Sequence, residues 1–228
     1  MVASRSSSEG AVVCVCGPCG SGKSTTASLL AKRLGARLVE GDNFHPEANK
    51  AKMAAGTPLD DADRMPWLAA LRAECSGRAE RGEIVVLACS ALKRAYREAL
   101  VGCATLYEQG KHNWVFALLD VPEEVLRQRL GARQGHFMPP ALLASQLAAM
   151  EKDDPQMLHV PVVVEGRELV PDDVVRCLLA ELQRLGRLPW PLVPSAPPGK
   201  GRRWLAPGLL GAWGLLIAAR GLWLAYQR

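Results

Sequence analysis

Gly17-Pro18-Cys19-Gly20-Ser21-Gly22-Lys23-Ser24 places a lysine and a hydroxyl directly after a glycine-rich turn. The pattern is G-x-x-x-x-G-K-[ST], and its chemistry is the gripping of nucleotide phosphates. Glycines let the backbone curl until successive N–H groups point inward, and a following helix adds its positive end. In that reading Gly17, Gly20, Ser21 and Gly22 cradle phosphate oxygens. Lys23 reaches the β- and γ-phosphates of ATP, and the Ser24 hydroxyl ligates Mg²⁺. The motif leaves the phosphoryl acceptor open: water, a nucleotide, a protein or a small metabolite.

A second set of residues speaks to the acceptor. Glu40-Gly41-Asp42 closes an apolar run, "ARLVEGD", read as a strand over 36–42. Alternation would put Glu40 and Asp42 on one side of it, at the carboxyl end that faces the ligand crevice of an open α/β sheet. Asp42 there accepts or orients a hydroxyl proton, and Glu40 holds a Mg²⁺-bound water. The competing reading makes Asp42 the cap of the next helix. The polar stretch 43–68 offers His45, Lys52 and Arg64 to a polyhydroxylated anion, although each alone also suits a plain surface role. Ser90 and Lys93 follow a third strand and reach the same crevice edge. Arg129 and Arg133, spaced i and i+4, share a helix face ahead of Gly135 and His136. Such a segment either closes over transferring phosphates, with Arg133 stabilising the charge, or is a solvated basic helix.

The elements that must carry these residues alternate. Apolar runs at 11–17, 36–42, 83–91, 114–122 and 160–166 read as five strands, separated by helical segments. The last helix, "PDDVVRCLLAELQRLG", has Pro171 in its first turn. Alternation of this kind predicts parallel βαβ units: an α/β fold of the P-loop NTPase type, with about five parallel strands flanked by helices and a small helical lid. The domain is expected over 11–187, after a flexible segment 1–10. From 188 to 228 a Pro-rich linker leads into an apolar tail. The tail is uncharged between Arg203 and Arg220, a run short for a spanning helix. A weak membrane anchor and an unstructured tail are both open readings of it.

The 228 residues are 49% hydrophobic with a formal charge of +5, enough apolar content to bury a full core. Aromatics make up only 5% and no basic stripe is interleaved with them, which argues against a nucleic-acid partner. Seven cysteines at irregular spacing, behind an N-terminus without an apolar signal region, lead to an expectation of free thiols and a cytoplasmic location. Cys14, Cys16 and Cys19 also raise a metal site, against which stands the apolar character of the strand that carries the first two.

The segments "GSGKST", "GDNFHPEANKAKM", "GTPLDDADRMPWL", "CSALKRAYRE" and "GHFMPPALLASQ", in this order, resemble the gluconate kinase family of small P-loop carbohydrate kinases. The resemblance covers about residues 11–186. It implies ATP- and Mg²⁺-dependent phosphorylation of D-gluconate at its 6-hydroxyl, and commonly a homodimer. By motif, it implies that Gly17 to Thr25 bind ATP and that Asp42 faces the sugar acid. Arg64 and Lys93 become contacts to substrate or phosphate, and Arg129, Arg133 and His136 belong to the lid-like segment. Pro18 and Cys19 depart from the family's small aliphatic residue and serine, and Ala148 stands where the family tends to have Glu. Two other readings stay in play: a related P-loop kinase acting on a shikimate-like or nucleotide acceptor, and a nucleotide-binding protein held by its tail.

Overall fold

The first strand explains the architecture. "AVVCVC" has no charged or strongly polar side chain and is buried on both faces, as a central parallel strand must be. In a computed structural model, which describes residues 10–102, 114–132 and 140–187, that strand (β1, Ala11–Cys16) is followed by α1 (Lys23–Leu34) and β2 (Arg37–Glu40). A one-turn 3-10 helix (Gly41–Phe44), α2 (Glu47–Ala54), α3 (Asp61–Glu80), β3 (Ile84–Ala88) and α4 (Arg94–Val101) come next. Beyond them lie β4 (Trp114–Asp120), α5 (Glu123–Ala132), α6 (Pro140–Ala148) and β5 (Met157–Pro161). A small ladder of β6 (Val163–Val164) and β7 (Arg167–Glu168) precedes α7 (Pro171–Arg184).

The sheet runs β2-β3-β1-β4-β5, with every pair parallel. Period-two alternation along β1 divides the core into two layers. Val13 and Val15 face α1 and α7, joining Leu30, Val175 and Leu178. Val12, Cys14 and Cys16 face α3 and α4, joining Trp67, Leu71, Cys75 and Leu100. Cys14, Cys16, Cys75 and Cys89 are thus free thiols packed as small apolar groups in one layer. Burial pushes the Cys14 thiol well up, and takes Cys75 to about 12, so both stay protonated and unreactive at neutral pH.

The strands expected at 83–91 and 114–122 are shorter, Ile84–Ala88 and Trp114–Asp120, and two further departures have a visible cause. The strand expected at 36–42 stops at Glu40, and Asp42 sits in the 3-10 turn rather than in alternation with Glu40. Gly41 makes the break: a Cβ there would lie 2.7 Å from the Ala88 carbonyl, so the chain closes against the end of β3 and turns. The strand expected at 160–166 begins earlier, at Met157, and leaves the sheet after Pro161. Its second half belongs to the antiparallel β6–β7 ladder, turned by Glu165 and Gly166 at φ of 50° and 74°, the paired positive φ of a tight hairpin. Among the described residues no helix is long and apolar enough to cross a membrane. The segments 1–9 and 188–228 lie outside the described residues, as do Arg133, Gly135 and His136.

Candidate active site

The phosphate loop runs from the end of β1 into α1. Gly17 has φ of 144°, and a Cβ on it would lie 2.8 Å from Ser21 Oγ, so the turn closes only around a glycine. Gly22 occupies the N-cap at φ of 93°. No side chain caps α1, and its first turn carries no acidic residue. The free N–H groups and the positive end of this twelve-residue helix are therefore left for an anion. Ser21 Oγ is buried without a hydrogen-bond partner among the described residues. Lys23 Nζ folds back and donates to the Pro18 carbonyl at 2.9 Å. These features fit a polyphosphate.

Ser24 and Glu40 meet at the mouth of the loop, where Ser24 Oγ donates to Glu40 Oε2 at 3.0 Å. A hydroxyl and a carboxylate at the end of adjacent elements form an oxygen donor set suited to a hard divalent cation. The loop is also tied to the segment that follows β3: the Gly17 N–H donates to the Ser90 carbonyl at 3.3 Å.

The acceptor side is a cavity of about 590 Å³ beside the loop. Asp61 and Arg64 of α3, Lys93 and Tyr96 at the start of α4, and Ser145 and Gln146 of α6 contribute to its wall. Asp61 organises it. Lys93 Nζ donates to both Asp61 oxygens at 2.7 and 2.9 Å, and Tyr96 Oη donates to Oδ1 at 2.5 Å. The Lys93 and Tyr96 hydrogen bonds hold the Asp61 carboxyl below the usual carboxylate range, and the same contact with Asp61 raises the Lys93 ammonium. The Arg64 guanidinium lies 5.6 Å and the Lys93 ammonium 5.3 Å from the Tyr96 ring centre, within cation–π range. Two cations, two carboxylates (Asp60 beside Asp61) and a phenol around one open cavity suit a ligand that carries both an anionic group and hydroxyls.

The 3-10 turn is fixed from beneath. Trp67 Nε1 donates to the Gly41 carbonyl at 2.7 Å, and its ring stacks on His45 with centres 4.0 Å apart. His45 is buried. Burial lowers its pKa, Asp42 opposes that, and Arg64 and Lys50 add to the lowering. His45 therefore senses both Asp42 and Arg64, while Asp42 itself is exposed on the turn. Lys52 is occupied by a salt bridge to Asp63 at 2.6 Å.

Behind Ser90 the chain takes an unusual path, with Ala91 at φ of 42°, a conformation that costs about 1–3 kcal/mol for a non-glycine residue. Arg97 holds it. This arginine is 1% exposed and donates to the carbonyls of Ala91 and Leu92 at 3.0 and 3.1 Å. Its charge is met by Asp154 at 3.1 Å.

The structure thus brings Ser24 to Glu40, with the neighbouring Lys23 turned back to Pro18, and sets Arg64 with Lys93 on the acceptor cavity, whose wall does not include Asp42, His45 or Ser90. Thr25 is exposed on the first turn of α1. Arg129 is placed on the outer side of the loop: its guanidinium donates to the carbonyls of Gly20 and Ser21 at 3.1 and 3.2 Å and pairs with Glu168 at 2.8 Å. Asp61, Tyr96, Gln146 and Arg97 were missed by sequence reasoning. Tyr96 follows Lys93 at the i+3 spacing that faces one side of a helix, which is the one local signal among them.

A glycine-rich loop on a central parallel strand, a lysine at an uncapped helix start and an adjoining polar acceptor cavity define a P-loop kinase. The family model described as an AAA domain matches residues 12–153. The chain is 44% identical over 171 residues to a gluconokinase of Gluconobacter oxydans, covering 74% of this chain and 89% of that one. It is 36% identical over 179 residues to a gluconokinase of Arabidopsis thaliana, covering 76% and 95%. A solved gluconokinase structure from Sinorhizobium meliloti aligns with a TM-score of 0.64 at 39% identity, covering 78% of this chain and 94% of that one. The chain belongs to the gluconokinase family.

Proposed function

We propose that this chain transfers the γ-phosphoryl group of ATP to the 6-hydroxyl of D-gluconate, giving ADP and 6-phospho-D-gluconate. The observation that carries this reading is the joining of an anion-binding loop to a cavity holding Arg64, Lys93, Asp61 and Tyr96. The names of the relatives supply the sugar acid. A plain nucleotide-binding role does not account for a cavity lined by Asp61, Arg64, Lys93 and Tyr96, and a shikimate-like or nucleotide acceptor is not favoured by the relatives.

The loop N–H groups and Lys23 hold the β- and γ-phosphates, Lys23 exchanging its internal carbonyl partner for phosphate oxygens. Ser24 and Glu40 would hold Mg²⁺, which would offset phosphate charge. Arg64 and Lys93 bind the gluconate carboxylate, and Asp61 and Tyr96 meet its hydroxyls. Asp42 orients the 6-hydroxyl and takes its proton as the oxygen bonds to the γ-phosphorus. The bond from that phosphorus to the bridging oxygen breaks, and ADP leaves with the electron pair. Arg129 positions the loop through its carbonyls; a role for Arg133 and His136 at the transferring phosphate is part of the same reading, and both lie outside the described residues.

The test is ADP release coupled to a reporter, with D-gluconate, ATP and Mg²⁺, for the full chain beside Lys23→Ala and Asp42→Asn. Loss of one charged donor lowers kcat by about 100- to 1000-fold, and loss of a general base by about 100- to 10,000-fold. Gluconate-independent or absent turnover in the parent chain overturns the reading.

A further inference from the structure

Gln146 is the one side chain of the acceptor cavity that also holds the phosphate loop among the described residues. Its Oε1 accepts the backbone N–H of Cys19 at 2.7 Å, a contact across 127 positions of the chain. The same residue lines the acceptor cavity together with its neighbour Ser145 and with Arg64 and Lys93. Its Nε2 donates to no described residue.

The bond has a local cause. Position 18 is proline, which has no N–H, so Cys19 supplies the first backbone donor after Gly17. That donor is satisfied from α6, while Pro18 receives Lys23 on its carbonyl. The first half of the loop is therefore fixed by two side chains, one on each side of the Pro18–Cys19 peptide. Lys23 leaves when it takes phosphate. Gln146 has no such competing duty, because Cys19 N–H lies before the residues that open α1.

Resting on the gluconate reading, we infer that Gln146 is a positioning residue that couples the two substrates: Oε1 sets the phosphate loop, and Nε2 donates to the sugar acid. An amide group is rigid and planar, so a ligand that fixes one arm also fixes the other. Gluconate binding then holds α6 against Cys19 and makes the loop better ordered for ATP. By linkage, ATP favours gluconate by the same factor. This ties formation of the loop to arrival of the acceptor and disfavours transfer to water when the cavity is empty.

Two substitutions separate the arms. Gln146→Leu removes both. Gln146→Glu keeps an acceptor for Cys19 N–H, removes the donor and sets a negative charge beside the gluconate carboxylate. The measurement is the dissociation constant of a non-hydrolysable ATP analogue with Mg²⁺, by calorimetry, with and without saturating D-gluconate. Gluconate affinity is measured separately, and thermal unfolding checks that each variant is folded. For the parent chain, gluconate tightens analogue binding by about fivefold or more. Gln146→Leu weakens analogue binding alone by about threefold to tenfold and abolishes the gluconate effect. Gln146→Glu binds the analogue alone about as the parent does, within about twofold, but loses gluconate affinity by about tenfold or more.

A merely structural role predicts that both variants weaken both ligands in parallel, and that outcome overturns the inference. So does a Gln146→Leu variant that keeps the parental gluconate effect, or a parent chain that binds both ligands without mutual influence. Should the parent bind the analogue but neither bind nor phosphorylate gluconate, the functional reading fails instead. The contrast between Gln146→Leu and Gln146→Glu in analogue affinity alone then still decides whether Oε1 sets the loop.

Discussion

Ser24 Oγ donates to Glu40 Oε2 at 3.0 Å, joining the first turn of α1 to the last residue of β2. The two residues are sixteen positions apart, and parallel pairing of β2 and β1 with β3 brings their ends to one place. A divalent cation here would be held by both residues. Ser24→Ala and Glu40→Gln are each expected to lower kcat by about 10- to 100-fold and to raise the Mg²⁺ concentration needed for half-maximal rate. Titration of Mg²⁺ at saturating ATP and gluconate checks this. An unchanged Mg²⁺ dependence in both variants would remove Glu40 and Ser24 from the metal site.

Lys93 and Arg64 flank the same phenol ring from α4 and α3. If they take the acceptor carboxylate, Arg64→Ala and Lys93→Ala raise KM for gluconate by about 10- to 100-fold, the value of a charge-assisted hydrogen bond. KM for ATP should move far less. Initial-rate measurements with each substrate varied in turn make the comparison. A matching rise in KM for ATP would place these cations on phosphate instead.

The nucleotide half of this site was legible because its chemistry is local. The glycines, Lys23 and Ser24 act within one loop and the first turn of one helix, so eight consecutive residues carry the pattern. The acceptor half depends on tertiary contacts. Asp61 meets Lys93 across 32 positions and Tyr96 across 35, and nothing in "DDAD" distinguishes a site carboxylate from the capping box that Asp60 and Asp63 form beside it. Asp42 was read on the wrong backbone, since the close approach of Gly41 to Ala88 is invisible in a strand-like sequence. The end of the fifth strand was missed for a related reason: the hairpin turn places the non-glycine Glu165 at positive φ.

Arg97 and Asp154 form a buried ion pair behind the acceptor cavity. Arg97→Met leaves the Asp154 charge uncompensated and strips donors from the carbonyls of Ala91 and Leu92. Removing one partner of such a pair costs about 3–5 kcal/mol, which lowers Tm by about 10 °C in a chain of this size. Adding Asp154→Leu removes the stranded charge and recovers part of the loss, but the Ala91 carbonyl stays without its donor, whereas that of Leu92 keeps the Glu151 N–H at 3.0 Å. Thermal and urea unfolding of the single and double variants test this, and a double variant no better than Arg97→Met alone would argue that the carbonyl contacts dominate.

His45 gives the fold a pH dependence with a definite sign. Its ordinary pKa of 6.5 is lowered in the folded chain, first by burial against Trp67, with Arg64 and Lys50 adding to the shift and Asp42 opposing it. As pH falls below about 6.5 the unfolded chain takes a proton that the folded one resists. The stability this residue contributes is therefore complete above that pH and is lost as pH falls toward the depressed folded value. His45→Phe keeps an aromatic ring to stack on Trp67 and cannot titrate. Its Tm should decline less than that of the parent between pH 7 and pH 5, measured in buffers of equal ionic strength. Parallel declines would mean that His45 keeps its proton equilibrium on folding, and that the acid sensitivity lies with carboxylates such as Asp61 and Asp63.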